Sequence, residues 1–200
     1  MSGGPTSPSA NGDGDGLRSM IDRLFAASQI AYEIDAMVTG TLRCIEIERR
    51  DGDWTERNIN LEAALLHARA LIEFLVRRTG QGDYMAPGDF GPDWDTRAYA
   101  DLARQLRPLN VHLAHLSWGR LDPDAPRVSS TIVYDVLDAF RSFADDLEAK
   151  GRIGTQPIRD ALTAADRRAT SFSTTETRVT IVGGRRPLDL DLEIELGPKS

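Results

Sequence analysis

Apolar residues recur every three or four positions in four long stretches, and this spacing restricts the chain to packed amphipathic helices. The stretches run from about Leu17 to Arg49, Leu61 to Arg78, Thr96 to Trp118 and Thr131 to Lys150, with Asn60 as the predicted N-cap of the second and Asp95 or Thr96 as that of the third. The apolar stripes of the last three are Leu61, Leu65, Ala68, Ile72 and Leu75; Leu102, Leu106, Leu109, Leu113 and Leu116; and Val133, Val136, Leu137, Phe140, Ala144 and Leu147. Turn-forming residues such as Gly, Pro, Asp and Asn separate them. A chain of 200 residues suffices for one domain with a substantial core. The sequence therefore predicts an all-α, up-and-down four-helix bundle.

The first predicted helix is apolar on two sides. One side carries Ile21, Leu24, Phe25, Ser28 and Tyr32, and the nearly opposite side carries Ile30, Ile34, Met37 and Thr41. A helix that is apolar on both sides is buried on both sides. Such a helix is either central in the bundle or also used for self-association. We predict a homodimer in which the second group, around Ile34, finds a burial partner outside its own bundle. Gly40 is expected to weaken this helix by about 1 kcal/mol relative to alanine.

The ends of the chain differ in composition from the predicted bundle of residues 17–150. Residues 1–16 are rich in Gly, Ser, Pro and Asp, which predicts a disordered tail. Residues 151–200 are predicted to form a partly flexible extension. Its predicted elements are a short helix at 157–168 and a β-hairpin with strands at 177–182 and 188–196, joined through Gly183-Gly184.

Charge and composition exclude several classes of protein. A net charge of −7 argues against coating nucleic acid with a broad basic surface. No apolar run approaches the ~20 residues of a membrane span, and residues 1–16 lack the basic start and apolar centre of a secretory signal. We therefore expect a cytoplasmic protein without a membrane partner. A single cysteine, Cys44, rules out an internal disulfide.

The segment from Thr79 to Asp95 is predicted to be a long loop because it contains two prolines and four glycines. Four side chains in it are too apolar for a freely solvated loop, and we expect them to pin it against the bundle. These are Tyr84, Met85, Phe90 and Trp94. Its aspartates match no calcium-binding pattern, so turn-forming and capping roles are expected for them.

The third predicted helix carries the candidate functional residues, which are Arg104, Arg107, Asn110, His112 and His115. At about 100° per residue, His112 and His115 fall on one flank of the leucine stripe, with Arg104 at its polar edge. Arg107 and Asn110 point to the other flank. Because proline clashes with the preceding turn, we predict a kink or break at residues 104–107, with Pro108 starting a fresh segment.

Two patterns in this region resemble the HEPN superfamily of compact four-helix domains. Arg107 and His112 fit its Arg-x4-6-His motif. The string Leu109-Asn110-Val111-His112-Leu113-Ala114-His115-Leu116-Ser117 is similar to the Asn-Lys-x-x-x-His-Leu-Thr string of HEPN-like bacterial proteins, and so is the preceding Asp89-Phe90-Gly91-Pro92-Asp93-Trp94. In this second alignment His115 takes the place of the motif histidine, Asn110 follows the position of the motif arginine, and that position holds Leu109.

The resemblance, which covers about residues 17–150, implies a function as well as a fold. Many HEPN proteins are ribonucleases that cut RNA without a metal ion, using arginine and histidine from two protomers. Others are inactive binding or dimerisation modules. The resemblance thus implies an endoribonuclease-like or RNA-binding homodimer, with His115, His112, Arg107, Arg104 and Asn110 as site residues and no cofactor.

Two alternatives remain open from the residues themselves. His67 with His112-x-x-His115 offers three imidazoles from two helices, enough to bind a divalent transition metal and leave positions open for water and substrate. This pattern resembles the three-histidine site of DinB-like bundles, which use a wider i,i+4 pair. In the other alternative the histidines are hydrogen-bonded structural residues, and the chain is a non-enzymatic bundle that binds itself or a protein partner.

Overall fold

The computed structural model describes residues 20–77, 84–91, 94–114 and 131–174, without the side chains of residues 112, 114 and 172–174. All regular secondary structure in these residues is helical, which confirms the predicted all-α class. The α-helices are α1 (Met20–Arg49), α2 (Trp54–Val76), α3 (Ala100–Leu109), α4 (Ile132–Ala149) and α5 (Thr155–Thr174). Short 3-10 helices span Pro87–Asp89 and Thr96–Tyr99, and a π-helix spans Asn110–Ala114. The predicted N-terminal tail and C-terminal hairpin lie outside the described residues.

The apolar stripes predicted for the second and fourth helices form the centre of the molecule. The α2 stripe is buried throughout, and so is the α4 stripe except for Val133, which is partly buried. Phe74 of α2 lies against Phe140 and Phe143 of α4, with ring centroids 6.0 and 5.5 Å apart. Within the described part of the chain, no helix is both long and apolar enough to span a membrane.

Helix α1 buries the side that was predicted to need a partner. Ile34 and Met37 are fully buried and Ile30 nearly so, all within the core of their own chain. The opposite side is the uncovered one: Ile21 is 74% exposed and Phe25 66% exposed. The physical reason is that α2 and α5 both pack against α1 and enclose the Ile34 side. The expectation that this side seeks a partner outside the bundle was therefore wrong.

Helix α2 begins earlier than predicted. Asp53 is its N-cap, and the Asp53 carboxylate accepts a hydrogen bond from the backbone N–H of Glu56 at 2.7 Å. Asn60, the predicted cap, lies inside the helix and donates its side-chain N–H to the carbonyl of Glu56 at 2.8 Å. The helix begins two turns before Leu61 because the Asp53 cap satisfies a backbone N–H of its first turn.

Helix α5 is longer than the predicted segment 157–168 and takes part in the core. Ile158, Leu162 and Ala165 are buried against the other helices. Two arginines hold α5 at its edges: Arg168 pairs with Asp35 of α1 at 2.5 Å, and Arg159 pairs with Glu148 of α4 at 3.0 Å. The described core therefore contains five helices where four were predicted.

The segment before α3 is pinned by two of the four aromatic and apolar side chains that were expected to do so. Phe90 is buried, and the Trp94 indole donates to the carbonyl of Leu75 at 3.0 Å. Tyr84 and Met85 are exposed, at 64% and 40%, so the expectation was wrong for them. Tyr84 instead lies beneath the Arg77 guanidinium, 4.2 Å from ring centroid to Cζ.

Candidate functional site

Helix α3 is the platform for the candidate residues, and its start is firmly held. The Asp95 carboxylate caps the preceding 3-10 helix by accepting from the N–H of Arg97 at 3.0 Å, as predicted. Tyr99 stacks on Trp94 with ring centroids 5.0 Å apart. Burial raises the pKa of the Tyr99 phenol, and the Asp146 carboxylate adds to this increase. This anchor fixes the direction in which α3 leaves the core.

Leucines fix which side of α3 faces the bundle. Leu102 and Leu109 are buried, and Leu106 and Leu113 pack partly buried against the same core. The predicted stripe is confirmed for these four residues, while Leu116 lies outside the described residues. Candidate polar residues of α3 consequently lie at its solvent side and flanks.

The two candidate arginines of α3 are exposed. Arg104 forms an ion pair with Asp101, one turn earlier on the same helix, and both side chains are largely solvated. An exposed pair of this kind contributes little to stability, so Arg104 can exchange Asp101 for an external anion at small cost. Arg107 is exposed one turn further along. Both guanidinium groups are therefore accessible to a phosphate.

Pro108 does not break the helix where a break was predicted. Residues 104–107 are regular α-helix, and α3 continues through Pro108 to Leu109. The irregularity follows the proline: Asn110–Ala114 form a π-helix. Since a π turn holds more residues than the 3.6 of an α turn, the 100° wheel does not extend through His112. The prediction that His112 and His115 share one flank assumed a regular α-helix, and the backbone at His112 is not α-helical.

Asn110 opens the π-helix and has an unsatisfied acceptor. Its side-chain Oδ1 is buried, and no donor among the described residues reaches it. Leaving a buried acceptor unpaired costs about 1–3 kcal/mol. Single π turns and unsatisfied buried polar groups both concentrate at functional sites. Among the candidate residues, Asn110 therefore has the local features most typical of a functional site.

The two candidate histidines are not placed by the described structure. The backbone of His112 lies in the π-helix, two residues after Asn110, and its side chain is outside the description. His115 lies outside the described residues altogether. The structure brings Arg107, Asn110 and the His112 backbone onto one continuous segment of six residues.

His67, the third histidine, has a partner that sequence reasoning missed. Its Nδ1 lies 2.7 Å from a Glu33 carboxylate oxygen on α1, and its ring meets Tyr32 edge-on with centroids 5.9 Å apart. His67 and Glu33 are 34 positions apart, so no local sequence pattern indicates this contact. Where the structure is described, no three metal-capable side chains cluster, but the proposed partners His112 and His115 are not covered there.

No family model, curated protein or solved structure matches the chain. The geometry of the described residues therefore carries the functional argument, together with the HEPN-like motif.

Proposed function

We propose that this protein is a HEPN-like, metal-independent endoribonuclease or RNA-binding module that acts as a homodimer. One observation supports the site more than any other: Asn110 Oδ1 is buried and lacks a described donor at the start of a π-helix, next to the exposed Arg107. Arg107 is the accessible group and would hold the phosphate. The π turn at Asn110 marks the site, because such turns and unsatisfied buried polar groups both concentrate at functional sites.

The reaction requires only proton transfer and charge stabilisation. One imidazole, from His115 or His112, removes the proton from the RNA 2′-hydroxyl as its oxygen bonds to the adjacent phosphorus. The bond from phosphorus to the 5′-oxygen breaks, and that oxygen takes up a proton. The products are a 2′,3′-cyclic phosphate and a 5′-hydroxyl end. Histidine suits this task because its pKa lies near neutrality, and Arg107 or Arg104 neutralises the negative charge.

The acidic surface restricts the kind of RNA contact. With a net charge of −7 the protein gains little from non-specific phosphate attraction. A short contact with one or two phosphates through Arg104 and Arg107 fits this charge better than a long RNA track. We therefore expect recognition of a single-stranded segment or loop, whose splayed bases offer contacts other than phosphate.

The test is cleavage of single-stranded RNA by the purified full chain in excess EDTA. We expect 2′,3′-cyclic ends, and His115→Ala should lose most of the activity while melting as the wild type does. His67→Gln is the matched control, because it replaces a histidine on α2 that this mechanism does not use. Cleavage that disappears in EDTA, or a His115→Ala variant of full activity, would contradict the mechanism.

The homodimer is proposed to form through the exposed face of α1, defined as Ile21, Leu24, Phe25, Ser28 and Tyr32. Phe25 is 66% and Tyr32 59% exposed, and neighbouring Met20 is equally open. If large side chains offer about 150–250 Å² each, these leave roughly 600 Å² of apolar surface uncovered. That is at the upper limit for monomers and close to the ~800 Å² per partner of a standard interface.

The spacing of this face is self-complementary. In an antiparallel pairing of two copies about a two-fold axis near residues 26 and 27, Ile21 lies opposite the partner's Tyr32, and Phe25 lies opposite the partner's Ser28. The small Ser28 leaves room for the phenyl ring, and its hydroxyl is already satisfied by the Leu24 carbonyl at 3.0 Å. Such an isologous contact closes as a dimer.

Sedimentation of the purified chain tests the dimer. We expect a dimer at tens of micromolar for the wild type and a monomer for Ile21→Glu, since each copy would bury an unpaired carboxylate against the partner's Tyr32. Ile59→Glu is the control, because Ile59 on α2 is similarly exposed, at 62%, but lies off the face. A monomeric wild type, or an Ile59→Glu variant that dissociates just as completely, would rule out this interface.

A second function is favoured by the same exposed face: a non-enzymatic bundle that binds itself or a protein partner. In that case Ile21→Glu abolishes association, but no RNA is cleaved and His115→Ala changes only the melting temperature. The metal-binding alternative predicts instead near-stoichiometric zinc, nickel or iron, lost from His67→Gln. The hydrogen bond from Glu33 to His67 Nδ1 is compatible with it, because carboxylates commonly orient metal-binding imidazoles in this way.

A further inference from the structure

The solvent side of α3, together with the 3-10 helix before it, offers little surface to a second protomer. The side chains of Arg97, Asp101 and Arg104 are largely exposed there. Among the described side chains from Trp94 to Leu113, none that is large and apolar is exposed. The cores of protein interfaces are apolar and depleted of charged residues, so a second copy has little apolar area to cover on α3.

Helix α2 lies between α3 and the apolar face of α1 that is proposed to form the dimer. Helix α1 packs mainly against α2 and α5, whereas the α-helices against which α3 packs are α2 and α4. A helix with its side chains is about 10–12 Å across. A dimer through the α1 face therefore leaves each α3 separated from that interface by about the width of α2.

The two-fold axis of that dimer lies towards one end of the bundle. Helices α1 and α2 run antiparallel, because Glu33 of α1 contacts His67 of α2 and Gly40 of α1 lies against Ala64 of α2. Residues 26 and 27, where the axis is placed, precede both contacts in α1. The axis is therefore level with the C-terminal end of α2.

Helix α3 starts at that end of α2 and runs away from the axis. The Trp94 indole donates to the Leu75 carbonyl near the end of α2, and Tyr99 stacks on Trp94. From there both α3 and the π-helix pack along α2. At 1.5 Å per residue, Asn110 is about 16 Å from Tyr99, which brings it level with Gly40 and about 20 Å from the axis along α1. The two sites of the dimer are then about 40 Å apart in this direction.

We propose that each protomer carries a complete RNA site, so that the dimer has two separate sites, each made by one chain alone. This inference rests on the proposed function, and it departs from the arrangement that the HEPN resemblance implies, in which arginine and histidine come from two protomers. Arg107, Asn110 and the His112 backbone already lie on one segment of six residues, and His115 follows three positions later in the sequence. The arginine that holds the phosphate and the histidine that moves the proton thus come from the same chain.

Heterodimers of full-length chains, co-expressed with two different affinity tags, test this arrangement. An arginine variant replaces Arg104 and Arg107 with alanine, a histidine variant replaces His112 and His115 with alanine, and a combined variant carries all four changes. The first heterodimer joins the arginine variant to the histidine variant, and the second joins the wild type to the combined variant. In excess EDTA, the first should cut single-stranded RNA no faster than the homodimer of either variant. The second should keep about half of the wild-type rate, because one of its two sites is intact.

A site shared between protomers predicts the reverse: about half of the wild-type rate in the first heterodimer and loss of cleavage in the second. That result would overturn the inference and leave the proposed ribonuclease activity in place. A wild type that cuts no RNA would instead reject the proposed function, and the inference with it. A wild type that sediments as a monomer and cuts RNA would reject the α1 interface and support a site complete within one chain. If the histidine variant fails to fold, glutamine takes the place of alanine at both positions.

Discussion

Replacing Phe143 by alanine is expected to lower the free energy of unfolding by about 3–5 kcal/mol. Phe143 is 1% exposed and lies at the centre of an aromatic cluster. Its ring centroid lies 4.8 Å from that of Trp94, 5.5 Å from Phe74, 5.8 Å from Phe90 and 6.0 Å from Phe140, and all four pairs are edge to face. Truncation removes buried apolar area and edge-to-face contacts together and leaves a cavity that four rigid rings cannot fill.

Urea unfolding followed by circular dichroism measures this loss. The neighbouring Ser142→Ala is the control: its exposed hydroxyl donates to the Asp138 carbonyl at 3.2 Å, and a change within about 0.5 kcal/mol is expected. If Phe143→Ala cost no more than Ser142→Ala, the loop residues Phe90 and Trp94 would not be packed on α4 as the structure has them. A lower midpoint with an unchanged slope would show that the loss is one of stability.

The aromatic cluster illustrates what residue type and spacing predict. Phe140 falls on the predicted stripe of the fourth helix, so its burial follows from periodicity. Phe74 and Phe143 lie beside the predicted stripes of their helices, and their burial was not predicted. Phe90 and Trp94 were expected inside because large apolar rings in a loop need cover. The same argument failed for Tyr84 and Met85. The Arg77 cation over the Tyr84 ring and an open cleft beside Met85 are tertiary features that no local pattern encodes.

In helix α5 the spacing of apolar residues is too weak to predict that the helix packs into the core. Its core contribution comes from Ile158, Leu162 and Ala165, at i, i+4 and i+7, within an otherwise charged segment. Three buried residues in a helix of 20, one of them an alanine, predict a short helix but give no indication that it packs. Its ion pairs to Asp35 and Glu148 join residues far apart in the sequence, and pairs of this kind become visible only when the helices are placed.

At the candidate site, the sequence indicates which polar residues lie close together along the chain but not the backbone geometry that holds them. Clustering of Arg104, Arg107, Asn110 and two histidines on one helix was readable from the chain. A proline suggested an irregularity there, but sterics of the pyrrolidine ring place the expected strain before Pro108. The structure puts the π-helix after it, at Asn110, and the orphan acceptor that supports the proposed function follows from that placement.

Gly40→Ala is expected to destabilise the protein by about 1–3 kcal/mol, the usual cost of overpacking. Helix propensity alone predicts the opposite sign, a gain of about 1 kcal/mol. Gly40 is buried where α1 crosses α2, and a side-chain carbon there would lie 2.9 Å from the Asn60 carbonyl oxygen and 3.1 Å from the Ala64 side chain. The Asn60 oxygen belongs to the backbone and the Ala64 side-chain carbon is attached directly to it. Neither atom can move aside unless the two helices move apart.

A double-mutant cycle with Ala64→Gly separates packing from propensity. Ala64→Gly alone should cost about 1 kcal/mol as a glycine inside a helix. In the double variant the close contact between the two side-chain carbons is gone, while the contact with the Asn60 carbonyl remains. The double variant should therefore lose less stability than the sum of the losses in the two single variants. Chemical unfolding of the four proteins gives the coupling energy. A Gly40→Ala protein more stable than the wild type would mean that α1 and α2 do not approach each other closely at Gly40.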